Sequence, residues 1–158
     1  MKIRKYKETD FLEILTLFYE TVHTINSKDY TLEQLSAWAP FIADEKKWKD
    51  SFLGKHLLVA EIEGVLVGFG DIDEMGYLDR LYVHKFYQSM GIATELLSHL
   101  EDYAIKKGRI NLSVHASITA KPFFEKHGYV VEREQVVKCR GVWMVNYVME
   151  KKRISALE

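Results

Sequence analysis

With 158 residues, 47% hydrophobic and 28% charged, the chain has the size of one globular domain with a substantial core, and no second core is needed. A formal net charge of -1 with scattered Lys and Arg gives no basic stripe, so no nucleic-acid partner is expected. Cys139 is the only cysteine, which excludes an intrachain disulfide and a multi-cysteine metal site.

No apolar run reaches membrane-spanning length, and residues 1–6 start with strand-like alternation rather than a secretory signal. A cytoplasmic protein with no membrane partner is expected. Residues 2–6 read as a first strand, after which Asp10 and Glu13 can form a capping box. The helix it opens carries Phe11, Ile14, Leu15, Phe18, Val22 and Ile25 at core-facing spacing until residues 26–29 break it. Thr31 and Gln34 form a second capping box, before a short helix with Leu32, Leu35 and Trp38 that stops ahead of Pro40. Asp44 caps a third helix with Trp48, Phe52 and Leu53, closed by Gly54.

Residues 56–63 and 65–71, turning at Gly64, read as an antiparallel hairpin. Gly68 and Gly70 weaken a regular strand and imply a bulge or a close approach of another backbone. Residues 77–84 then alternate, with Tyr77, Asp79, Leu81 and Val83 on one face and Leu78, Arg80 and Tyr82 on the other. After a loop, Ile92, Leu96, Leu97, Leu100, Tyr103 and Ala104 mark an amphipathic helix that Lys106, Lys107 and Gly108 close. A fifth strand carries Ile110, Leu112 and Val114, a short helix covers 119–126, and strands 130–138 and 142–149 follow, joined near Cys139, Arg140 and Gly141. The domain is set at 1–150 and residues 151–158 read as a polar tail. The order gives a mixed α/β fold of about seven strands, antiparallel early and late and parallel where the long helix crosses over.

The loop before that helix is the chemical centre. Gln88, Ser89, Met90, Gly91, Ile92 and Ala93 place small residues where the first helical N–H groups lack partners. A diphosphate suits such a helix start, since Gly91 admits the anion close to the backbone; a plain tight turn is the alternative. The chain has neither the P-loop pattern nor the triple-glycine dinucleotide fingerprint.

Leu81 to Val83 followed by the run from Gln88 to Ala93 resembles the acetyl-CoA motif of the GCN5-related N-acetyltransferases (GNAT), Gln/Arg-x-x-Gly-x-Gly/Ala after a strand. Residues 116–129 resemble the second signature of that family, Asn-x-x-Ala-x-x-Phe-Tyr-x-x-x-Gly-Phe, and residues 116–141 are similar to its YafP-type bacterial branch. The resemblance implies a strongly bent, mostly antiparallel mixed sheet that splays between the fourth and fifth strands to take the pantetheine arm of acetyl-CoA. It implies transfer of the acetyl group to a primary amine of a small molecule or peptide, in one step within a ternary complex. The cofactor would be held by the main chain of Leu81, Tyr82 and Val83 and by Gln88, Ser89, Met90, Gly91, Ile92, Ala93 and Thr94, bordered by Ser117 and Phe124.

Such a reaction needs an acceptor for the amine proton and a donor for the leaving thiolate. Asp79, with Tyr77, stands where the family draws its base; a structural carboxylate paired with Arg80, a lysine or a backbone N–H is the alternative. Two positions depart from the family pattern. Ser117 replaces the usual Asn, and Phe124 replaces the usual Tyr acid and cannot donate a proton. Cys139, beside Arg140, is a candidate donor or transient acetyl acceptor. Tyr30, Trp38, Trp48 and Arg140 are candidate acceptor-side residues, and core packing is the alternative for the aromatics. The missing acid also leaves open a catalytically weak acyl-CoA-binding or sensing module, and an uncovered edge among the last strands would suit a homodimer.

Overall fold

The computed structural model describes residues 1–152. Seven strands form one sheet: β1 (Lys2–Lys5), β2 (Lys55–Ile62), β3 (Val65–Asp73), β4 (Tyr77–Val83), β5 (Asn111–Ser117), β6 (Val130–Cys139) and β7 (Val142–Lys152), in the order β1-β2-β3-β4-β5-β7-β6. Every pairing is antiparallel except β4 with β5. The helices are α1 (Phe11–Ile25), α2 (Leu32–Trp38), α3 (Glu45–Ser51), α4 (Ile92–Lys106) and α5 (Lys121–Lys126). None of these helices is long and apolar enough to cross a membrane.

The two faces of the sheet carry different helices. Helix α4 lays Ile92, Leu96, Leu97, Leu100 and Ala104 on one face, against Val67, Ile72, Leu78 and Leu112. Helix α1 covers the other with Ile14 and Leu17 against Val59, Leu66 and Phe69. Burying a leucine of this kind contributes about 1.5–3 kcal/mol, and Leu96, Leu97 and Leu100 are essentially inaccessible. The two glycines of β3 let α4 come this close. A Cβ on Gly70 would stand 2.9 Å from the Arg80 carbonyl oxygen and 3.0 Å from Leu100, and one on Gly68 would stand 3.0 Å from Leu96. What approaches is the α4 side-chain layer together with the carbonyls of β4.

Several local readings change. Asp10 does not cap α1; its carboxylate takes two hydrogen bonds from Arg4, at 2.8 and 2.9 Å, and one from the Lys7 amide at 2.8 Å. Arg4 outcompetes the helix because a bidentate guanidinium bond is charge-assisted. Leu32 and Leu53 are exposed rather than core-facing. Strand β7 runs on to Lys152, with Lys151 opposite Leu112 and Lys152 opposite Asn111, so the expected tail loses its first two residues to the sheet and its remainder, 153–158, lies outside the described residues.

Candidate functional site

Strand β4 is not regular. Arg80 pairs with Asp71 and Leu78 with Ile72, so Asp79 is an extra residue with no partner of its own. This bulge breaks the expected alternation: Leu78 joins Leu81 and Val83 on the α4 face, while Tyr82 packs under α1. A bulge bends its strand and sharpens the local twist. The β4–β5 ladder has only the pairs Tyr77–Ser113 and Leu78–Val114, so the strands part where the bulge begins. The His84 amide donates to the Val67 carbonyl on the β3 side, at 2.8 Å. By alternation, the amides of Leu81 and Val83 face the opening.

A narrow cavity of about 80 Å³ occupies this opening, lined by Leu78, Asp79, Leu81, Tyr82, His115, Ser117 and Phe124 among others. On the α1 side of the same strand lies a cleft of about 780 Å³, walled by α1, the 39–44 segment, α3 and Arg140. Among the described residues, only Trp38, Asp79 and Tyr82 line both spaces. The bulge residue therefore stands where two openings, one on each side of β4, come together.

Beyond the end of β4, the chain reaches α4 through Ser89, at φ 59°, and Gly91, at φ 82°. Among the described residues, no hydrogen-bond acceptor is found for the amides from Met90 to Thr94, and the first helical bond is Glu95 N–H to the Gly91 carbonyl, at 3.1 Å. Gly91 is exposed, and a Cβ built on it meets no atom within 4 Å. The loop is thus an open nest of unpaired N–H groups, chemically suited to a diphosphate. It lines neither cavity. The Gln88 side chain is committed to the fold: its amide donates to the Val83 carbonyl at 2.7 Å, an oxygen that also accepts from Thr21 Oγ1 at 3.0 Å. Gln88 thus ties the loop to β4, and the Val83 carbonyl is already doubly engaged.

The floor of the large cleft is a charged cluster that the sequence did not single out. Asp71, wholly buried, accepts from the Arg80 amide at 2.9 Å and from Arg80 Nη1 at 2.7 Å. Arg80 Nη2 donates to Ser51 Oγ, and its guanidinium lies 4.6 Å from the Trp48 ring centre. Asp79 is ion-paired with Lys55 and has Arg80 Nη2 at 3.9 Å. Arg80 and Lys55 thus neutralise the two carboxylates, and Arg80 holds α3 against β4. Burial pushes the Asp71 carboxyl up to about 6, with Arg80 pulling it back and Asp79 adding to the rise. Because the folded value is the higher one, this group favours folding fully below the unfolded value of about 4, and that contribution is lost as pH rises through about 6. Relative to Asp71→Asn, the wild-type chain should lose roughly 2–3 kcal/mol of stability between about pH 4 and pH 7, read by urea unfolding of both proteins.

The remaining candidates separate. Trp38, Trp48 and Arg140 line the cleft, and Leu81, Tyr82, Ser117 and Phe124 line one space or both. Tyr30 lines neither: its hydroxyl donates to the Val145 carbonyl at 2.8 Å and accepts from the Ile118 amide at 2.9 Å, a core role. Tyr77 also lines neither and stands edge-on to His115; burial, then Asp79, Asp71 and Asp73, push its phenol up to about 12, so it stays protonated at neutral pH. Cys139 lies outside both spaces, with Sγ turned to the Ala37 carbonyl at 3.4 Å. Phe124 is buried in the core and forms one wall of the narrow cavity, and Tyr129 donates to Glu101 at 2.8 Å. Asp71, Lys55 and Ser51 were missed, and Arg80 was read only as a possible structural partner of Asp79; an acid between the glycines and the end of a buried strand was the available signal for Asp71.

A family model described as an acetyltransferase (GNAT) domain matches residues 26–151. YafP of Escherichia coli (strain K12), an uncharacterized N-acetyltransferase, is 38% identical over 152 residues, 96% of each chain. Among solved structures, a GCN5-related N-acetyltransferase from Rhodopseudomonas palustris superposes with a TM-score of 0.92 at 34% identity, covering 96% of this chain and 94% of that one. The PaiA N-acetyltransferase from Thermoplasma acidophilum, solved in complex with coenzyme A, has a TM-score of 0.79 at 23% identity over 96% of this chain and 98% of that one, a likeness of fold.

Proposed function

Because the chain belongs to the GNAT acetyltransferase family, we propose that it moves the acetyl group of acetyl-CoA directly to a primary amine, with Asp79 accepting the amine proton. The observation that carries this reading is the meeting of the two openings at Trp38, Asp79 and Tyr82: a donor in the β4–β5 gap and an acceptor in the large cleft would face each other across Asp79.

The residues present fit acetyl-CoA. The free amides from Met90 to Thr94 would hold the diphosphate, Gly91 leaves its approach open, and the gap beside Leu81 offers main-chain groups to an extended arm. When bound, acetyl-CoA supplies a thioester whose carbonyl carbon takes the amine nitrogen and whose thiolate departs. An amine arrives mostly as its ammonium at neutral pH, and Asp79 is the carboxylate common to both spaces, so it is assigned as the group that receives that proton. The unpaired Leu81 amide is suited to a developing oxyanion. Phe124 cannot donate a proton, and Tyr82, the tyrosine that lines both spaces, is held protonated by burial, so the departing thiolate takes its proton from water.

Direct transfer leaves no acetyl group on the protein. Intact-protein mass measured after incubation with acetyl-CoA alone should show no acetyl adduct; an adduct on Cys139 that a later amine discharges would replace this scheme with a two-step one. The position of Cys139, outside both spaces, supports the one-step form.

A further inference from the structure

Resting on that reading, we infer that the acceptor is an aromatic or large apolar primary amine that also carries a carboxylate, bound with its amine at Asp79 and its carboxylate on Arg140. Both residues wall the same cleft, and Trp38 and Tyr82 connect them: Arg140 is fastened to the carbonyl of Ala37, the residue before Trp38, and the Trp38 and Tyr82 rings lie 6.5 Å apart.

Fixed position, rather than net charge, singles out Arg140. Glu20 is paired with Lys85, Asp79 with Lys55, and Arg80 with Asp71, while Asp44 accepts from the Lys47 amide. Of the charged side chains lining the cleft, this leaves Arg140, Lys47, Asp44 and Glu45 without an ion-pair partner among the described residues, two cations and two anions. All four are exposed, with Asp44, Glu45 and Lys47 at the start of a short surface helix, but Arg140 has its guanidinium held in place by a hydrogen bond to the fold. It sits in a two-residue β6–β7 turn with Arg140 at φ 46° and Gly141 at φ 81°, and Nη1 is fixed on the Ala37 carbonyl at 2.8 Å. Nη1 also reaches Cys139 Sγ at 3.7 Å, and Nη2 and Nε have no partner among the described residues. A guanidinium pinned by one nitrogen, with the rest of its fork free, is built to receive a carboxylate.

Between the two ends the walls are aromatic. Phe18, Tyr19, Trp38, Phe41 and Tyr82 line the space, and Phe41, 85% exposed, stands edge-on to Tyr19 at 5.8 Å. A polyamine or aminoglycoside would bury little apolar surface against these rings and would set a second cation near Arg140. An apolar body with an anion at the far end satisfies both.

The test uses matched acceptors with and without a carboxylate at the end remote from the amine: 4-(aminomethyl)benzoate and benzylamine, 4-(2-aminoethyl)benzoate and phenethylamine, 4-(4-aminobutyl)benzoate and 4-phenylbutylamine. Acetyl-CoA-dependent acetylation is compared as kcat/KM within each pair. The carboxylate-bearing member of at least one pair should be preferred by about ten- to a hundredfold, the range of a hydrogen bond to a charged group. In Arg140→Asn, which suits the left-handed turn position, that preference should fall to about threefold or less. A within-pair ratio is insensitive to general loss of folded protein. Carboxylate-free partners used as well in every pair, a preference that survives Arg140→Asn, or turnover of polyamines alone would overturn the inference and leave the acetyltransferase reading standing. No turnover with any amine would overturn both.

Discussion

Asp79→Asn lowers kcat/KM at neutral pH by about a hundredfold or more, within the 10²–10⁴ range of a positioned general base. Asparagine keeps the shape of the side chain but cannot take a proton. Asp79 combines two properties that no other carboxylate here does, being the bulge residue of β4 and a wall of both the β4–β5 gap and the large cleft. The structure also realises the alternative role, since Lys55 is ion-paired with it. The pH dependence separates the two. If Asp79 receives the amine proton, the deficit of the variant shrinks as pH approaches the pKa of the acceptor amine, because free amine then reaches the site without help. A deficit that holds constant across that range, with reduced stability, would make Asp79 a structural partner of Lys55.

The largest stability effect is expected at Arg80. Arg80→Met leaves Asp71 wholly buried with a single amide donor, and removes both the link to Ser51 and the stacking on Trp48. Breaking a buried pair by deleting one partner costs about 3–5 kcal/mol, a large share of the roughly 5–15 kcal/mol that holds a domain together. The loss should shrink on acidification, as Asp71 becomes neutral, and the double variant Asp71→Leu/Arg80→Met should recover most of it, since an apolar pair carries no desolvation cost. Urea unfolding of the single and double variants measures both effects. A single variant within about 0.5 kcal/mol of wild type, the usual span for a surface substitution, would mean that water reaches Asp71 and that the cluster does not brace the cleft floor.

What could be read from residues alone follows from how local the physics is. The loop from Gln88 to Ala93 and the helix after it were legible because small residues, a helix start and apolar periodicity are all encoded within a short window. The opening between β4 and β5 could only be supplied by family resemblance, because it depends on a register slip at Asp79 that alternation does not reveal; strict alternation misplaced Leu78 for the same reason. Tyr30 looked like a cleft wall, yet its hydroxyl is spent on β7 and on the segment after β5, residues more than eighty positions away. The Asp71, Arg80 and Ser51 cluster unites β3, β4 and α3, and apart from an acid inside a buried strand nothing local in the chain announces it. Cys139 was suggested by its Arg140 neighbour, but the turn that joins them sends the thiol toward Ala37 and leaves the arginine in the cleft wall.

Thiol release from acetyl-CoA, followed over a panel of amines with cofactor binding measured by calorimetry on the same sample, tests the acetyltransferase account most directly. The expected result is binding of acetyl-CoA together with thiol release that depends on the amine and yields its N-acetyl product. Binding without release for any amine would contradict direct transfer and describe a sensing module that keeps the amide nest at Gly91 without turnover.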